Sequence, residues 1–420
     1  MQTKFDAVLK DSRLALMDGG LGTTLEDVLT LNISQSPLWS TQPVVSNGEA
    51  IVQAHLLFLR AGARIISTST YQCSMETLKA AGMQPTQAQA IMLKAVHLAK
   101  EAKARFQEET KERSRSISEK VFIALSLGPF GATLKPTQEF RGIYPPPYGP
   151  RKFTSEGMDI NSFGLDEAAE HQAIDALSEF HFNRLSVFAS DTETWNSIDF
   201  LAFETIPLRR EVLAIRRAVT DLYSEIRKNQ GEGFLKPWWI SCVFPDGESP
   251  EKSYPGGEKI EIEDLLIAAF REAPKSKSNH LQLMPSGFGI NCTNTKYIRA
   301  LITKMMLFFK QALVSHPWIV VYPNGNETYD EASRVWVSRG EVAGNQQGWA
   351  EEVAVVVKEM EEERSQGQSV GGIIVGGCCK VGPGDIAVLW RKLLYIHIGS
   401  EKNDKAHGHP TGEIMIILHD

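Results

Sequence analysis

The feature that most narrows what this chain can fold into is a repeat of pattern. Eight short apolar runs, at residues 14–17, 64–67, 121–125, 199–203, 238–243, 288–291, 318–322 and 372–375, recur along its 420 residues. Short apolar runs bounded by turn residues fit strands buried on both faces. Between most of them the apolar residues take helical spacing. Ile91, Ala95, Leu98 and Ala102 share one face, as do Ile174, Leu177, His181, Leu185 and Phe188. Val212, Ile215, Arg216 and Val219 share another, and Ile298, Leu301, Ile302 and Met305 a fourth. Strand and helix alternating over the whole length require parallel strands joined by crossover helices, and eight units predict a closed (β/α)8 TIM-type barrel. The alternative is an open doubly wound sheet, which would gather its functional residues at a single crevice.

In a barrel, reactive side chains stand where strands end at the carboxyl face. Polar and small residues follow nearly every run. Asp18, Gly19 and Gly20 follow the first; Thr68, Ser69, Thr70, Tyr71 and Gln72 the second; Ser126 and Gly128 the third. Glu204 and Thr205 follow the fourth, Cys292 the sixth, Pro323 and Asn324 the seventh, and Cys378 and Cys379 the eighth. Three stretches, at 107–120, 273–279 and 361–369, read as loop insertions or frayed helix ends. Residues 144–150 contain three consecutive prolines, are too stiff for helix, and are expected to arch over the barrel mouth, with a lid as one role. The division expected is a barrel domain over 1–395 and a C-terminal extension over 396–420, whose closing run Ile414-Met415-Ile416-Ile417-Leu418 has no evident partner.

A net charge of -7 without a basic cluster argues against a nucleic-acid partner. No run approaches the roughly 18 apolar residues of a membrane span, and the first ten residues lack a signal-peptide core, so the expected compartment is the cytosol. Five cysteines, two of them adjacent, do not resemble a disulfide framework, which leaves reduced thiols.

Three of those thiols, Cys292, Cys378 and Cys379, fall at two strand ends and are the candidate ligands of a catalytic zinc ion. Three protein ligands leave a fourth position open, which distinguishes a catalytic from a structural zinc site. Thiolate ligands keep a further sulfur on the metal electron-rich, which suits alkyl transfer to a substrate thiol better than activation of water. Adjacent strand residues point to opposite faces, so Cys378 and Cys379 can share an ion only where the strand has ended, and Gly376 and Gly377 permit that break. The plainer reading is that all three are ordinary buried cysteines, as Cys73 and Cys242 are expected to be.

Taken in order, Asp18-Gly19-Gly20-Leu21-Gly22-Thr23, Thr68-Ser69-Thr70-Tyr71-Gln72, Ser126-Leu127-Gly128-Pro129-Phe130-Gly131, Phe203-Glu204-Thr205-Ile206-Pro207, Gly289-Ile290-Asn291-Cys292, Tyr322-Pro323-Asn324 and Gly376-Gly377-Cys378-Cys379 resemble the homocysteine S-methyltransferase family. The resemblance implies a zinc-dependent barrel enzyme that methylates homocysteine to methionine. Its small-molecule partners would be homocysteine and a methyl donor: S-methylmethionine or S-adenosylmethionine in one branch, betaine in another. It implies that Cys292, Cys378 and Cys379 bind the zinc, and that Asp18 and Glu204 hold the substrate's amino group, with backbone near Gly19 and Asn291 close by. Carboxylates suit an ammonium group in any case. Asp18 has the alternative of capping the next turn, and Glu204 of pairing with Arg209 or Arg210. Tyr71 and Trp39 are candidates to line the donor pocket, where a ring face suits a sulfonium. Asp385 stands where the family commonly has a histidine.

Other readings are weaker. Gly19-Gly20-Leu21-Gly22 does not complete a dinucleotide or phosphate loop, and no His-Glu-x-x-His or Gly-x-Ser-x-Gly occurs. His407, His409 and His419 lie in a polar tail, and His181 reads as a hydrogen-bonded core residue. A non-catalytic barrel with a structural metal, or a relative acting on selenocysteine, are the remaining alternatives; oligomeric state is not readable.

Overall fold

Each of the eight apolar runs forms a strand, and all eight join one parallel sheet. In the computed structural model, the described residues are 4–9, 13–34, 36, 38–111, 120–271, 283–312, 314, 316–325, 327–330, 335–338, 346–366 and 370–404. The strands are β1 (Leu14–Leu16), β2 (Ile65–Ser67), β3 (Phe122–Leu127), β4 (Phe200–Ile206), β5 (Trp238–Cys242), β6 (Gly287–Asn294) and β7 (Trp318–Asn324). A two-stranded antiparallel hairpin, β8 (Glu327–Asp330) and β9 (Val335–Ser338), precedes the last barrel strand, β10 (Gly372–Val375). The barrel order is β1-β10-β7-β6-β5-β4-β3-β2. The seam between β2 and β1 is closed by Arg64 N–H to Leu16 O (2.8 Å) and Asp18 N–H to Ile65 O (2.9 Å), around a parallel bridge between Met17 and Ile65. The structure is therefore the (β/α)8 barrel that the alternation predicts, and not the open sheet.

Crossover helices cover the outside: Gly48–Arg60, Pro85–Lys111, Glu167–Ala189, Arg209–Asn229, Ile262–Phe270, Thr295–Ala312, Gln346–Ser365 and Pro383–Asp404. Several begin at a side-chain cap, among them Asn47 accepting from Ala50 N–H and Asp166 accepting from Ala169 N–H. No helix among the described residues is long and apolar enough to cross a membrane. The barrel interior is filled by Met17, Ile65, Ala124, Phe200, Ala202, Trp239, Trp318, Val320 and Ile374. A short helix at the amino end, Lys4–Leu9, seals it from below. Phe5 is 0% exposed and sets its ring 5.2 Å from Phe200 and 5.4 Å from Trp318, residues that open β4 and β7.

The sequence places strand ends too early at the carboxyl face. β4 continues to Ile206, β6 to Asn294 and β7 to Asn324, and the pairing register shifts between Phe203 and Ile206 and between Asn291 and Asn294. Thr205 (φ 60°) and Cys292 (φ 49°) take left-handed backbone within those shifts. Glu204 and Cys292 thus lie in bulged final turns of strands, a device that redirects side chains at a barrel rim.

The long segment between β3 and the helix Glu167–Ala189 is fixed rather than free. Tyr144 O–H donates to Glu211 (2.7 Å), Arg210 donates to Asn161 O (2.6 Å) and to Tyr148 O (3.2 Å), and Asn161 donates to Arg141 O and Pro250 O. Of the stretches expected as insertions or frayed helix ends, 107–120 and 361–369 begin as the last turns of the helices Pro85–Lys111 and Gln346–Ser365. Residues 112–119, 273–279 and 367–369, the three tail histidines and the closing apolar run lie outside the described residues.

Candidate active site

The carboxyl ends of β1, β2, β4, β6 and β10 bring most of the predicted residues to one mouth. Cys292 comes from the bulge of β6, and Cys378 and Cys379 from the turn after β10. Their three sulfurs lie within 4.8 Å of one another, with Cys292 and Cys378 in direct contact. Soft sulfur donors converging from two separate strand ends fit a metal ion. Cys378 and Cys379 do follow the strand, as a shared site requires.

The loop carrying the adjacent pair is stitched on both sides. Cys378 N–H donates to Pro323 O (2.8 Å) and Gly325 N–H to Cys379 O (2.8 Å) on the β7 side. On the β1 side, Gly377 N–H donates to Asp18 O (3.0 Å), Gly20 N–H to Val381 O (2.9 Å) and Lys380 N–H to Thr23 Oγ1 (3.0 Å). Such close approach explains two glycines. A Cβ at Gly376 would lie 2.6 Å from Asp18 O, and one at Gly20 would lie 2.6 Å from Cys378 O. Gly19 is buried beneath Val381 and Phe58. Asp385 accepts from Gly382 N–H (2.8 Å) and so caps the final helix, a role open to it without any histidine.

Asp18 and Glu204 are both buried here, 1% and 8% exposed. Asp18 does not cap the turn after it; it accepts from Ser67 N–H (2.7 Å) and Ser67 Oγ (3.0 Å) across the barrel seam. Burial pushes its carboxyl up to about 7, against the lowering effect of those bonds. Glu204 is pushed up to about 8, by burial first and then by the charges of Cys378 and Asp18, while a hydrogen bond with Ser126 works the other way. One oxygen of Glu204, Oε1, is buried with no hydrogen-bond partner. Neither nearby arginine takes Glu204 as partner: Arg209 pairs with Glu170 (3.5 Å) and Arg210 with Glu251 (3.7 Å). Two buried carboxyls, one of them with an oxygen short of a donor, have the chemistry to accept hydrogen bonds from a cation.

Asn291 is fully buried and uses both ends of its amide on one residue. Its Oδ1 accepts from Thr205 N–H (2.8 Å) and its Nδ2 donates to Thr205 Oγ1 (2.7 Å), which holds the left-handed turn beside Glu204. Tyr71 is half-buried, lays its ring on Gly128 and hydrogen-bonds Thr205; burial, then the charges of Glu139, Cys292 and Cys378, raise its hydroxyl well above the usual range. Trp39 rests its ring against Gly22, in the short helix Leu21–Asp27 that follows β1. Cys73 and Cys242 are buried in the apolar core, as expected.

One residue at the mouth escapes sequence reasoning. Arg184, fully buried, donates to Thr70 O (2.5 Å), Tyr71 O (2.7 Å), Cys73 O (3.1 Å) and Gly128 O (2.8 Å), tying the β2 and β3 loops together. The signal was present: Arg184 falls three residues after His181 on a helix face that is otherwise apolar.

A closed parallel barrel with three thiols and two buried carboxyls at its carboxyl mouth defines an enzyme of the (β/α)8 class with a thiol-rich site. The sequence matches the homocysteine S-methyltransferase family over residues 15–393, and the chain belongs to that family. Among its relatives are homocysteine S-methyltransferase 1 of Arabidopsis thaliana, 29% identical over 92% of this chain and 96% of that protein. The selenocysteine Se-methyltransferase of Brassica oleracea var. italica is 28% identical over 90% of this chain and 89% of its own. The homocysteine methyltransferase MmuM from Escherichia coli shares the fold. Its oxidised form superposes with a TM-score of 0.61 and its metallated form with 0.58, each at 23% identity over 92% of this chain and 99% and 98% of theirs.

Proposed function

We propose that the protein is a zinc-dependent methyltransferase that moves a methyl group from a sulfonium donor, S-methylmethionine or S-adenosylmethionine, to the thiol of homocysteine, giving methionine. The observation that carries this reading is the adjacency of two chemistries at one mouth: three cysteine sulfurs within 4.8 Å, and the Asp18–Glu204 pair with an unpartnered carboxylate oxygen. Homocysteine carries the two complements, a thiol and an ammonium group. Family membership and the names of the relatives support the same acceptor.

Cys292, Cys378 and Cys379 would hold the zinc. Zinc bound by thiolates supplies a way to keep an acceptor thiol deprotonated at neutral pH while leaving it nucleophilic. Asp18 and Glu204 bind the acceptor's ammonium group, and ionise as they do so. Asn291 and Thr205 fix the direction of Glu204, and the backbone around Gly19 lines the same corner. Tyr71 offers a ring face to the donor's cationic sulfur. In the transfer a bond forms from the acceptor sulfur to the methyl carbon while the donor's sulfur–methyl bond breaks. The donor sulfur keeps that electron pair and leaves as a neutral thioether, and the thiol proton goes to solvent. Alignment and charge matching supply the catalysis. Reduced thiols are a requirement of this chemistry and fit a cytoplasmic location.

A second acceptor, selenocysteine, is favoured by relatives that are named as its methyltransferases. Initial rates test both: homocysteine or selenocysteine with S-methylmethionine, S-adenosylmethionine or betaine, before and after chelation and after zinc is restored. Methionine formation from a sulfonium donor that chelation abolishes and zinc restores is expected. Undiminished turnover in metal-free protein, or none with any donor, contradicts the proposal.

A further inference from the structure

Arg184 stands on the helix Glu167–Ala189 and is only 2% exposed. Its guanidinium meets four main-chain carbonyls: Thr70 O (2.5 Å) and Tyr71 O (2.7 Å) from Nη2, Gly128 O (2.8 Å) from Nη1 and Cys73 O (3.1 Å) from Nε. Burial pushes it down to about 10, so it stays a cation at neutral pH. Three of those carbonyls belong to the β2 loop and one to the β3 loop, and a planar fork fixes the spacing between them. Tyr71 and Gly128 also meet each other directly. Gly128 N–H donates to Tyr71 O (3.1 Å), and a Cβ at Gly128 would lie 2.8 Å from Tyr71 Cε2, so the ring rests on a residue with no side chain to hold it off. One guanidinium therefore holds both the stem of the ring and the surface beneath it.

The root of the β2 loop has anchors of its own. Thr70 Oγ1 donates to Ser126 O (2.6 Å), and Thr68 Oγ1 accepts from Ser126 N–H (3.1 Å) and pairs with Thr70 Oγ1 (2.7 Å). Asp18 is held by Ser67, and the turn beside Glu204 by Asn291, through bonds in which Arg184 has no part. What depends on the fork is Tyr71, at the tip of the loop. We propose that Arg184 is a positioning residue for methyl transfer: by clamping the backbones of Tyr71 and Gly128 together it sets the Tyr71 ring where the donor's cationic sulfur binds, and governs donor affinity without touching the donor. This rests on the reading of Tyr71 as the ring that faces the donor. Lysine in its place would keep the charge but carry its donors on a single atom, which cannot bridge both loops as the fork does. One substitution thus separates geometry from charge.

A double-mutant cycle tests the inference: Arg184→Lys and Tyr71→Leu, singly and together, with S-methylmethionine as donor, and with both KM values, zinc content and melting temperature measured on the same samples. Arg184→Lys is expected to raise donor KM about tenfold, the scale of one desolvated cation–π contact, when Tyr71 is present. With leucine at that position the same change moves donor KM by less than about twofold, because no ring is left to position. Homocysteine KM stays within about twofold and zinc content is unchanged. The melting temperature falls in both backgrounds, since the lost carbonyl bonds do not depend on the ring. A donor KM equal to wild type overturns the inference, as does an equal rise with and without the ring, or a parallel rise in both KM values. If Arg184→Lys does not fold, Gly128→Ala, which lifts the ring from below and leaves the guanidinium in place, must raise donor KM alone; an unchanged donor KM or a shared rise overturns it. Absence of turnover in the wild-type protein, or a wild-type donor KM in Tyr71→Leu, would instead defeat the functional reading on which the inference rests.

Discussion

At the scale of single residues, the site depends on groups kept in states they would not hold in water. Asp18 and Glu204 are pushed up to about 7 and 8 by burial, so near neutral pH in the ligand-free protein Glu204 is mostly protonated and Asp18 partly so. An ammonium ligand needs them ionised, so homocysteine binding is expected to release protons and to tighten as pH rises from about 6 to about 8.5. Calorimetry at pH 7 in two buffers of different ionisation enthalpy checks this, and heats that do not depend on buffer contradict it. Stability runs the opposite way. Because both folded values lie above the unfolded ones, the free protein binds more protons than its unfolded chain, and this contribution, full below pH of about 4, is lost as pH rises through 7 and 8. Asn291 acts through Thr205. Asn291→Ala is expected to cost about 2 kcal/mol of unfolding free energy and to raise homocysteine KM, since Glu204 loses its fixed direction. Urea denaturation together with kinetics measures both, and an unchanged KM would remove the positioning role.

At the scale of elements, the β3 loop is held by packing as well as stiffened by its prolines. Tyr144 is fully buried on Glu211, and the segment is fastened to the helix Arg209–Asn229. Tyr144→Phe leaves a buried carboxylate one donor short and is expected to cost about 1–3 kcal/mol. Trypsin should then cut faster after Arg141, whose side chain is already 42% exposed; equal cleavage of the variant and wild type contradicts the fastening. The strands were legible because a parallel strand buried on both faces reads as a continuous apolar run, and the helices because one face of each is apolar. The bulges at Thr205 and Cys292 were not, because each is stabilised from outside its own strand. Asn291 locks Thr205 from 86 positions away. Cysteines and carboxylates at strand ends were legible as chemistry.

At the scale of the whole molecule, stability and chemistry sit at opposite ends of one barrel. Phe5 closes the amino end against the aromatic floor formed with Phe200 and Trp318, while the thiols and carboxyls stand at the carboxyl end. Phe5→Ala is expected to lower unfolding free energy by about 3–4 kcal/mol with kcat unchanged at temperatures where the protein stays folded. A fall in kcat without loss of stability would contradict that separation. The central claim is that three thiols from the ends of two strands distant in sequence converge on one ion that still accepts a substrate sulfur. X-ray absorption at the zinc edge tests it most directly, on the protein with and without homocysteine. Three sulfur neighbours, becoming four when homocysteine is added, is the predicted result; a count that does not change, or zinc bound elsewhere than at Cys292, Cys378 and Cys379, would contradict it.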